Sequence, residues 1–406
     1  MKKKIFTLLA LFAGVLSASA AGTNTISVKK VYITPGGVAS FGIDLDNTDE
    51  LCGFTMFMSL PEGITLNGEQ KCGNVGEDGF AINKTARTQG ELVDPTGSNP
   101  YGLGYISTKA LPGNSGAIIQ VNIKAASDLA VGTVLNGKIY DINFGALGGG
   151  SDIHLAEANF EIEVTDRVIL DEESTVAPVA ATNVNVTVKR NIKKNVWSTI
   201  CFPVQLKKAQ AEAIFGSDAK YATLASFKPA YDEETTVVTG ITLNFTEYTL
   251  GAVKPLKAGN VYLVKTTKDL EQFDVDNVTI ATSVNPTNVN DTEDLGLKGT
   301  FTGSFVKTEI PKDALFFSNN KFYYSAGATN TKAFRGWIVL DAILNQALVS
   351  DAPIYFDIDG EATKIDATTV FMMPNDGQYY NLKGQKVDNP TEKGVYIKNG
   401  KKVVIK

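Results

Sequence analysis

Apolar and polar residues alternate one for one through much of this chain, and a period of two restricts it to strands that bury one face. Ala39, Phe41, Ile43 and Leu45 alternate with Ser40, Gly42 and Asp44. Phe54, Met56, Met58 and Leu60 repeat the pattern, as do Ile119, Val121 and Ile123. Phe160, Ile162 and Val164 then alternate with Asn159, Glu161 and Glu163. Turn-forming clusters separate the runs: Pro35-Gly36-Gly37, Pro61-Glu62-Gly63, Pro112-Gly113-Asn114 and Gly148-Gly149-Gly150. Short alternating strands between such turns predict an all-β chain in which residues 21–166 form an antiparallel β-sandwich.

Alternation resumes at Val184, Val186 and Val188 and recurs in Trp197 to Phe202, Ile241 to Phe245, Phe301 to Val306, Trp337 to Leu340 and Ile354 to Ile358. Residues 184–365 therefore read as a second, mostly-β domain. Its one helical stretch is Lys207 to Phe215, rich in Ala and closed by Gly216 as a C-cap. Residues 167–183 mix Asp171-Glu172-Glu173 with small residues and Pro178, the composition of an exposed linker. Residues 366–406 form a small C-terminal β module. Within it Asn399-Gly400 stands between Val395-Tyr396-Ile397 and Val403-Val404-Ile405, a strong hairpin signal because both turn residues need positive φ.

The N-terminus carries the pattern of a signal peptide over residues 1–20. Lys2-Lys3-Lys4 precede an apolar core from Ile5 to Leu16, and Ser17 to Ala20 supply the small residues of a cleavage site. No later run approaches the roughly 18 apolar residues of a membrane-spanning helix. Sec export to the exterior or the outer cell surface, without a membrane span, is the expectation. The net charge is −6, and the tail from Tyr379 onward opposes it, with seven lysines against Asp388 and Glu392. An acidic body argues against nucleic acid as a partner.

Few residues are available for chemistry. There is one histidine, His154, beside a Gly-rich bend, so no multi-His metal site can be assembled, nor a Ser-His-Asp triad unless His154 is its base; a strand end is the expected place for it. Phosphate-binding loops, zinc signatures and nucleophile elbows are absent from the sequence. Cys52 and Cys72, 20 residues apart, are a disulfide candidate in an exported chain, whereas Cys201 sits in an apolar run and reads as core. Asp44-Leu45-Asp46-Asn47-Thr48-Asp49-Glu50 and Asn290-Asp291-Thr292-Glu293-Asp294 offer alternate oxygen donors but lack the spacing of a calcium loop. They read as solvated turns; no cofactor is expected, and structural calcium is an alternative that the spacing does not support. A sugar-binding site is suggested by Asn99-Pro100-Tyr101-Gly102-Leu103-Gly104-Tyr105, where Tyr101 and Tyr105 would offer ring faces and Asn99 or Asp94 would bond hydroxyls. Trp197 and Trp337 lie in apolar runs and are assigned to the core.

Three segments resemble known families. Asp44-Leu45-Asp46-Asn47, Cys52-Gly53-Phe54-Thr55-Met56, Leu60-Pro61-Glu62-Gly63-Ile64, Gly116-Ala117-Ile118-Ile119 and the Ala130-Val131-Gly132 turn together resemble the cohesin and carbohydrate-binding-module group of β-sandwiches. That resemblance implies a module that holds a dockerin, binds polysaccharide or serves as a passive part of an adhesin. Asn195 to Pro203, Ala213 to Gly216 and Phe356 to Ile365 resemble a recurrent region of large exported bacterial surface proteins. Asn381 to Val387, Gly394 to Ile397 and Gly400 to Val403 are similar to the C-terminal sorting domains of type IX secretion, though only to their second half. The expected function is a non-catalytic secreted or cell-surface binding protein, an adhesin or glycan-binding component whose partner is a polysaccharide or a surface or host protein. The alternatives are a cohesin-type scaffold for a dockerin-like protein and, less favoured, a polysaccharide hydrolase. Composition does not indicate an oligomeric state.

Overall fold

The computed structural model describes residues 24–148, 152–234, 237–318, 321–325, 327, 329–340, 343, 344, 347, 352–358 and 361–363, and from the tail 379, 380, 386, 387, 394–398 and 401–405. The signal-peptide expectation for residues 1–20 lies outside the described residues. The strands of the first module are β1 (Thr25–Ser27), β2 (Val31–Ile33), β3 (Val38–Asp46), β4 (Leu51–Ser59), β5 (Ile64–Leu66), β6 (Glu69–Gly73) and β7 (Phe80–Asn83). They continue as β8 (Glu91–Thr96), β9 (Tyr101–Ile106), β10 (Ala117–Ala125), β11 (Val134–Ala146), β12 (Ile153–Leu155) and β13 (Ala158–Val164).

These strands form two sheets. One runs β1-β3-β10-β7-β6 with β5 also on β10, and the other runs β2-β13-β11-β4-β9-β8 with β12 also on β11. Pairing is antiparallel except for β2 with β13 and β6 with β7. The alternation read from the sequence is the reason two sheets face each other. Phe41, Ile43, Leu45, Ile119, Val121 and Ile123 project from one sheet into a core shared with Phe54, Met56, Met58, Phe144, Phe160 and Ile162 of the other. Rings interlock across it, Phe41 with Phe160 at 5.1 Å between centroids, and along one inner face, Phe54 with its cross-strand partner Phe144 at 5.4 Å. Removing each such side chain from water contributes about 1.5–3 kcal/mol, so the sandwich is held mainly by its two inner faces.

The loop after β7 delivers one polar staple. Arg87 is buried, and its guanidinium donates to the carbonyls of Leu45 (2.6 Å), Pro112 (2.8 Å), Gly113 (3.1 Å) and Gly116 (3.1 Å) and to Asn47 Oδ1 (2.6 Å). This corrects the solvated-turn reading of residues 44–50 in part. Asp44 and Asn47 are buried, because Arg87 and a later segment cover them.

Residues 167–183, expected as an exposed linker, contain β14 (Val168–Asp171), which pairs in parallel with β15 (Ala181–Ile192). Glu172 and Val176 just beyond β14 are buried. The second module has sheets of three, six, five and two strands around one core, in which Phe202, Phe215, Phe273 and Phe334 form one aromatic group and Phe245, Phe301, Phe322 and Phe356 another. Its helix α1 (Lys208–Phe215) begins after Lys207 and ends at Gly216, whose φ of 100° and closeness to Thr267 leave no room for a side chain. Trp337 and Cys201 are buried as expected, and Trp197 is half-buried with its edge on Phe356. In the tail, Gly394–Lys398 pairs with Lys401–Ile405 in the register Lys398↔Lys401, the hairpin that Asn399-Gly400 predicts, and two further strands of two residues each, Tyr379–Tyr380 and Lys386–Val387, complete a four-stranded sheet.

Candidate functional site

The residues proposed from sequence as a sugar platform do not form one. Tyr101, Leu103 and Tyr105 share the inner face of β9, because strand alternation sends residues two and four apart the same way. Tyr105 is 3 % exposed, stacks on Phe54 at 5.4 Å, and accepts a hydrogen bond from Gly90 N at 2.8 Å through its hydroxyl. Tyr101 is half-buried against the same core. Asn99 clasps Leu60, accepting from its N–H (3.0 Å) and donating to its carbonyl (2.9 Å). Asp94 accepts from Cys72 N at 2.8 Å. All four are committed to the fold.

The Cys52–Cys72 bridge is also absent. Both thiols are free, because Cys52 starts β4 with its Sγ toward Gly145 O (3.5 Å), while Cys72 lies on β6 of the opposite sheet with its Sγ toward Val93 O (3.1 Å). Burial, with Asp94 nearby, pushes the Cys72 thiol up to about 12, so it is held protonated and unreactive. Among the described residues no group of three or more His, Cys, Asp or Glu could hold a metal ion, and no helix is long and apolar enough to cross a membrane.

The outward positions of the same strands build a different surface. Cross-strand register places Thr96, Gly102, Phe57 and Tyr140 in one row across β8, β9, β4 and β11. The next row is Val93, Gly104, Thr55, Asn143 and His154. Tyr140 and Asn143 are three residues apart yet both pair with outward residues of β4, because the register shifts between them in a bulge where Asp141 has a φ of 49°. Phe57 is 42 % exposed although it stacks on Tyr140, with centroids 5.7 Å apart and planes at 24°. Val93 and Ile106, 38 % and 63 % exposed, extend the apolar area along β8 and β9.

Two glycines keep this strip low. A Cβ on Gly102 would lie 2.5 Å from Thr96 Oγ1 and 3.5 Å from the Phe57 ring, and one on Gly104 would meet Val93 at an unstrained 3.6 Å. The floor between Phe57 and Val93 is thus backbone, open to an approaching group. Charges stand around it rather than in it. Lys138 pairs with Glu157 and lies 5.5 Å from the Tyr140 ring centroid, and Lys30 pairs with Glu161 (3.0 Å) and Glu163 (2.9 Å) at the β13 side. His154 is exposed on β12, its Nδ1 against Asn143 Oδ1. Sequence reading passed over Phe57 and Tyr140, although a usable signal existed. Each is an aromatic at the polar phase of an alternating strand.

The opposite outer face, on β3, is not open. Residues 173–177 lie on it, with Thr175 Oγ1 donating to Asp44 Oδ1 (2.7 Å) and Ser40 Oγ donating to Ala177 O (2.6 Å).

No protein-family model and no curated protein matches the chain. Solved structures similar to it are cohesin modules. A non-cellulosomal cohesin from the archaeon Archaeoglobus fulgidus is 14% identical, over 34% of this chain and 90% of its own, with a TM-score of 0.27. The third cohesin of ScaC in complex with the ScaB dockerin, from Acetivibrio cellulolyticus, is 13% identical over 35% and 99%, with a TM-score of 0.29. A type III cohesin module from the ScaE cell-surface anchoring scaffoldin of Ruminococcus flavefaciens is 15% identical over 39% and 96%, with a TM-score of 0.28.

Proposed function

We propose that the first module is a non-catalytic binding module of an exported surface protein, and that it grips a protein partner through the outer face of β4, β9 and β11. One observation carries this reading. Phe57 stays exposed on a glycine-floored strip, stacked on a half-buried Tyr140, with Val93 and Ile106 beside it and ion pairs around it. An apolar, aromatic centre inside a charged rim is the anatomy of a protein interface, and aromatic anchors at such centres supply most of the affinity. A sheet face also presents a rigid surface, so little conformational entropy is lost on docking. The outer side of β3 is occupied by the chain itself, whereas no segment of the chain lies across β4, β9 and β11 among the described residues.

A dockerin-like protein is the partner class that the sequence resemblance implies. A polysaccharide is the second reading, favoured by the same exposed aromatic pair and by the polar row of Thr55, Asn143 and His154 beside it. The test is biosensor binding of the full chain to a set of dockerin modules and to a panel of plant and bacterial polysaccharides. Saturable binding of a dockerin module that is lost in Gly104→Arg, which fills the strip without a backbone clash, supports the protein reading. Binding that persists in Gly104→Arg overturns the face, and polysaccharide binding lost in Phe57→Ala, with every dockerin silent, replaces the protein partner with a glycan.

A further inference from the structure

The two modules do not share a core. The buried apolar residues fall into one group within the sandwich and two separate ones within the second module, the smaller at Ile310, Ala314 and Trp337. Between them, bounded by β2, β3, β14 and residues 173–179, lies a cavity of about 230 Å³, lined among others by Tyr32, Ala39, Phe41, Leu170 and Phe305. Tightly packed joints leave no such space. What holds the modules in one orientation must therefore be the discrete contacts around the cavity.

Most of these contacts converge on one short segment. On the second-module side, Glu172 is 4 % exposed at its side chain and is shared by several donors. Its Oε2 meets Arg190 Nη1 (3.3 Å) and Arg335 Nη2 (2.9 Å), and its Oε1 meets Lys332 Nζ (3.0 Å) and Asn191 Nδ2 (3.2 Å). The backbone there is sewn in as well. Glu172 N donates to Lys189 O (3.1 Å), Ala333 N to Glu172 O (2.8 Å) and Lys307 N to Ser174 O (2.6 Å). On the sandwich side the same segment receives Lys29 Nζ at Glu173 O, offers Thr175 Oγ1 to Asp44, and accepts Ser40 Oγ at Ala177 O. Within residues 172–177 the chain is bonded alternately to the two modules.

We infer that residues 172–179 are a latch. Glu172 anchors it in the second module, Asp44 and Ser40 hold it on β3, and its release leaves two folded modules that move independently and uncovers the outer face of β3. This inference does not depend on which ligand the opposite face takes. A shared carboxylate suits the task because three cations converge on it, and its charge-assisted bond to Arg190 is buried away from water.

The experiment compares the full chain with Glu172→Gln and with the double variant Ser40→Ala/Thr175→Val. Thermolysin cleavage before Val176 and Val179 and small-angle X-ray scattering are followed while near-ultraviolet circular dichroism reports packing. Faster cleavage in the latch, by tenfold or more, with a larger maximum dimension and unchanged dichroism in both variants, is the expected result. Cleavage at the wild-type rate and unchanged scattering in both variants would overturn the latch. Where Glu172→Gln loses its tertiary signal, the double variant decides alone, since it removes only two hydrogen bonds on the sandwich side.

Discussion

The two outer faces of the first sandwich are built from the same kind of strand and have opposite fates. On β3 the outward residues are Ser40, Gly42 and Asp44, small or acidic, and the chain's own segment 173–177 lies across them. On β4, β9 and β11 the outward residues include an exposed Phe57 and the half-buried Gly102, Gly104 and Tyr140, and no segment of the chain lies across them among the described residues. Small polar side chains allow a backbone to approach closely and take specific hydrogen bonds. Exposed aromatics beside a bare backbone strip instead leave apolar area that only another molecule can bury. The difference teaches that one sandwich can spend one face on intramolecular architecture and keep the other for recognition.

The largest effect that would test this contrast is expected at Glu172. Glu172→Ala leaves Arg190 buried without its counter-ion and should destabilise the second module by about 3–5 kcal/mol, read as a lowered denaturation midpoint. If it unfolds no more easily than wild type, the buried cluster is not the anchor described. Next is Tyr105→Phe, which strands Gly90 N and should cost about 1–3 kcal/mol of sandwich stability while leaving ligand affinity unchanged. A lost affinity with unchanged stability would restore Tyr105 to a binding role.

Phe57→Ala should do the reverse on the open face, lowering ligand affinity by about 1–2 kcal/mol with stability nearly constant, as isothermal titration calorimetry and a thermal melt can separate. Equal losses in both measurements would make Phe57 a packing residue and end the contrast between the faces.

The smallest effects concern pH. Burial holds the Asp44 carboxyl above its ordinary value, with the Thr175 hydrogen bond opposing. A carboxyl with a raised folded value contributes its stabilisation at low pH and loses it as pH rises through that value. Asp44→Asn should therefore strengthen latch docking slightly at neutral pH and flatten its pH dependence, measured as thermolysin cleavage between pH 4 and 8. Glu172 behaves oppositely. Burial would raise its carboxyl, but hydrogen bonds from Asn191 and Lys332 and the charges of Arg190 and Arg335 outweigh it and hold the group near about 2. Its contribution is fully present above the ordinary carboxylate range and is lost only as pH falls toward 2. Latch opening already at pH 4 in wild type would contradict that assignment.

Much of this architecture was legible in the sequence. Alternation in Phe54-Thr55-Met56-Phe57-Met58 assigns inner and outer sides directly, because successive side chains of a strand must point to opposite faces. Helix α1, the Lys398–Lys401 hairpin register and the burial of Cys201 and Trp337 also followed from local rules. The misreadings share a cause. Tyr101 and Tyr105 read as ring faces open to a sugar, whereas they lie on the inner side of β9, and the flanking glycines mark the outer face rather than accessible tyrosines. Asp171-Glu172-Glu173 reads as solvent-seeking until Arg190, Lys332 and Arg335 are brought to it from up to 163 residues away.

By itself, then, the sequence determined the strand class, the two inner faces and the presence of two aromatics in outward phase, since each depends only on neighbours within a few residues. Only the tertiary structure decided that Phe57 meets Tyr140, that Cys52 and Cys72 stand on opposite sheets, and that an apparent linker is bonded to both modules. Those outcomes rest on cross-strand register and on charges gathered from distant segments, and local chemistry carries no record of which distant segment will arrive.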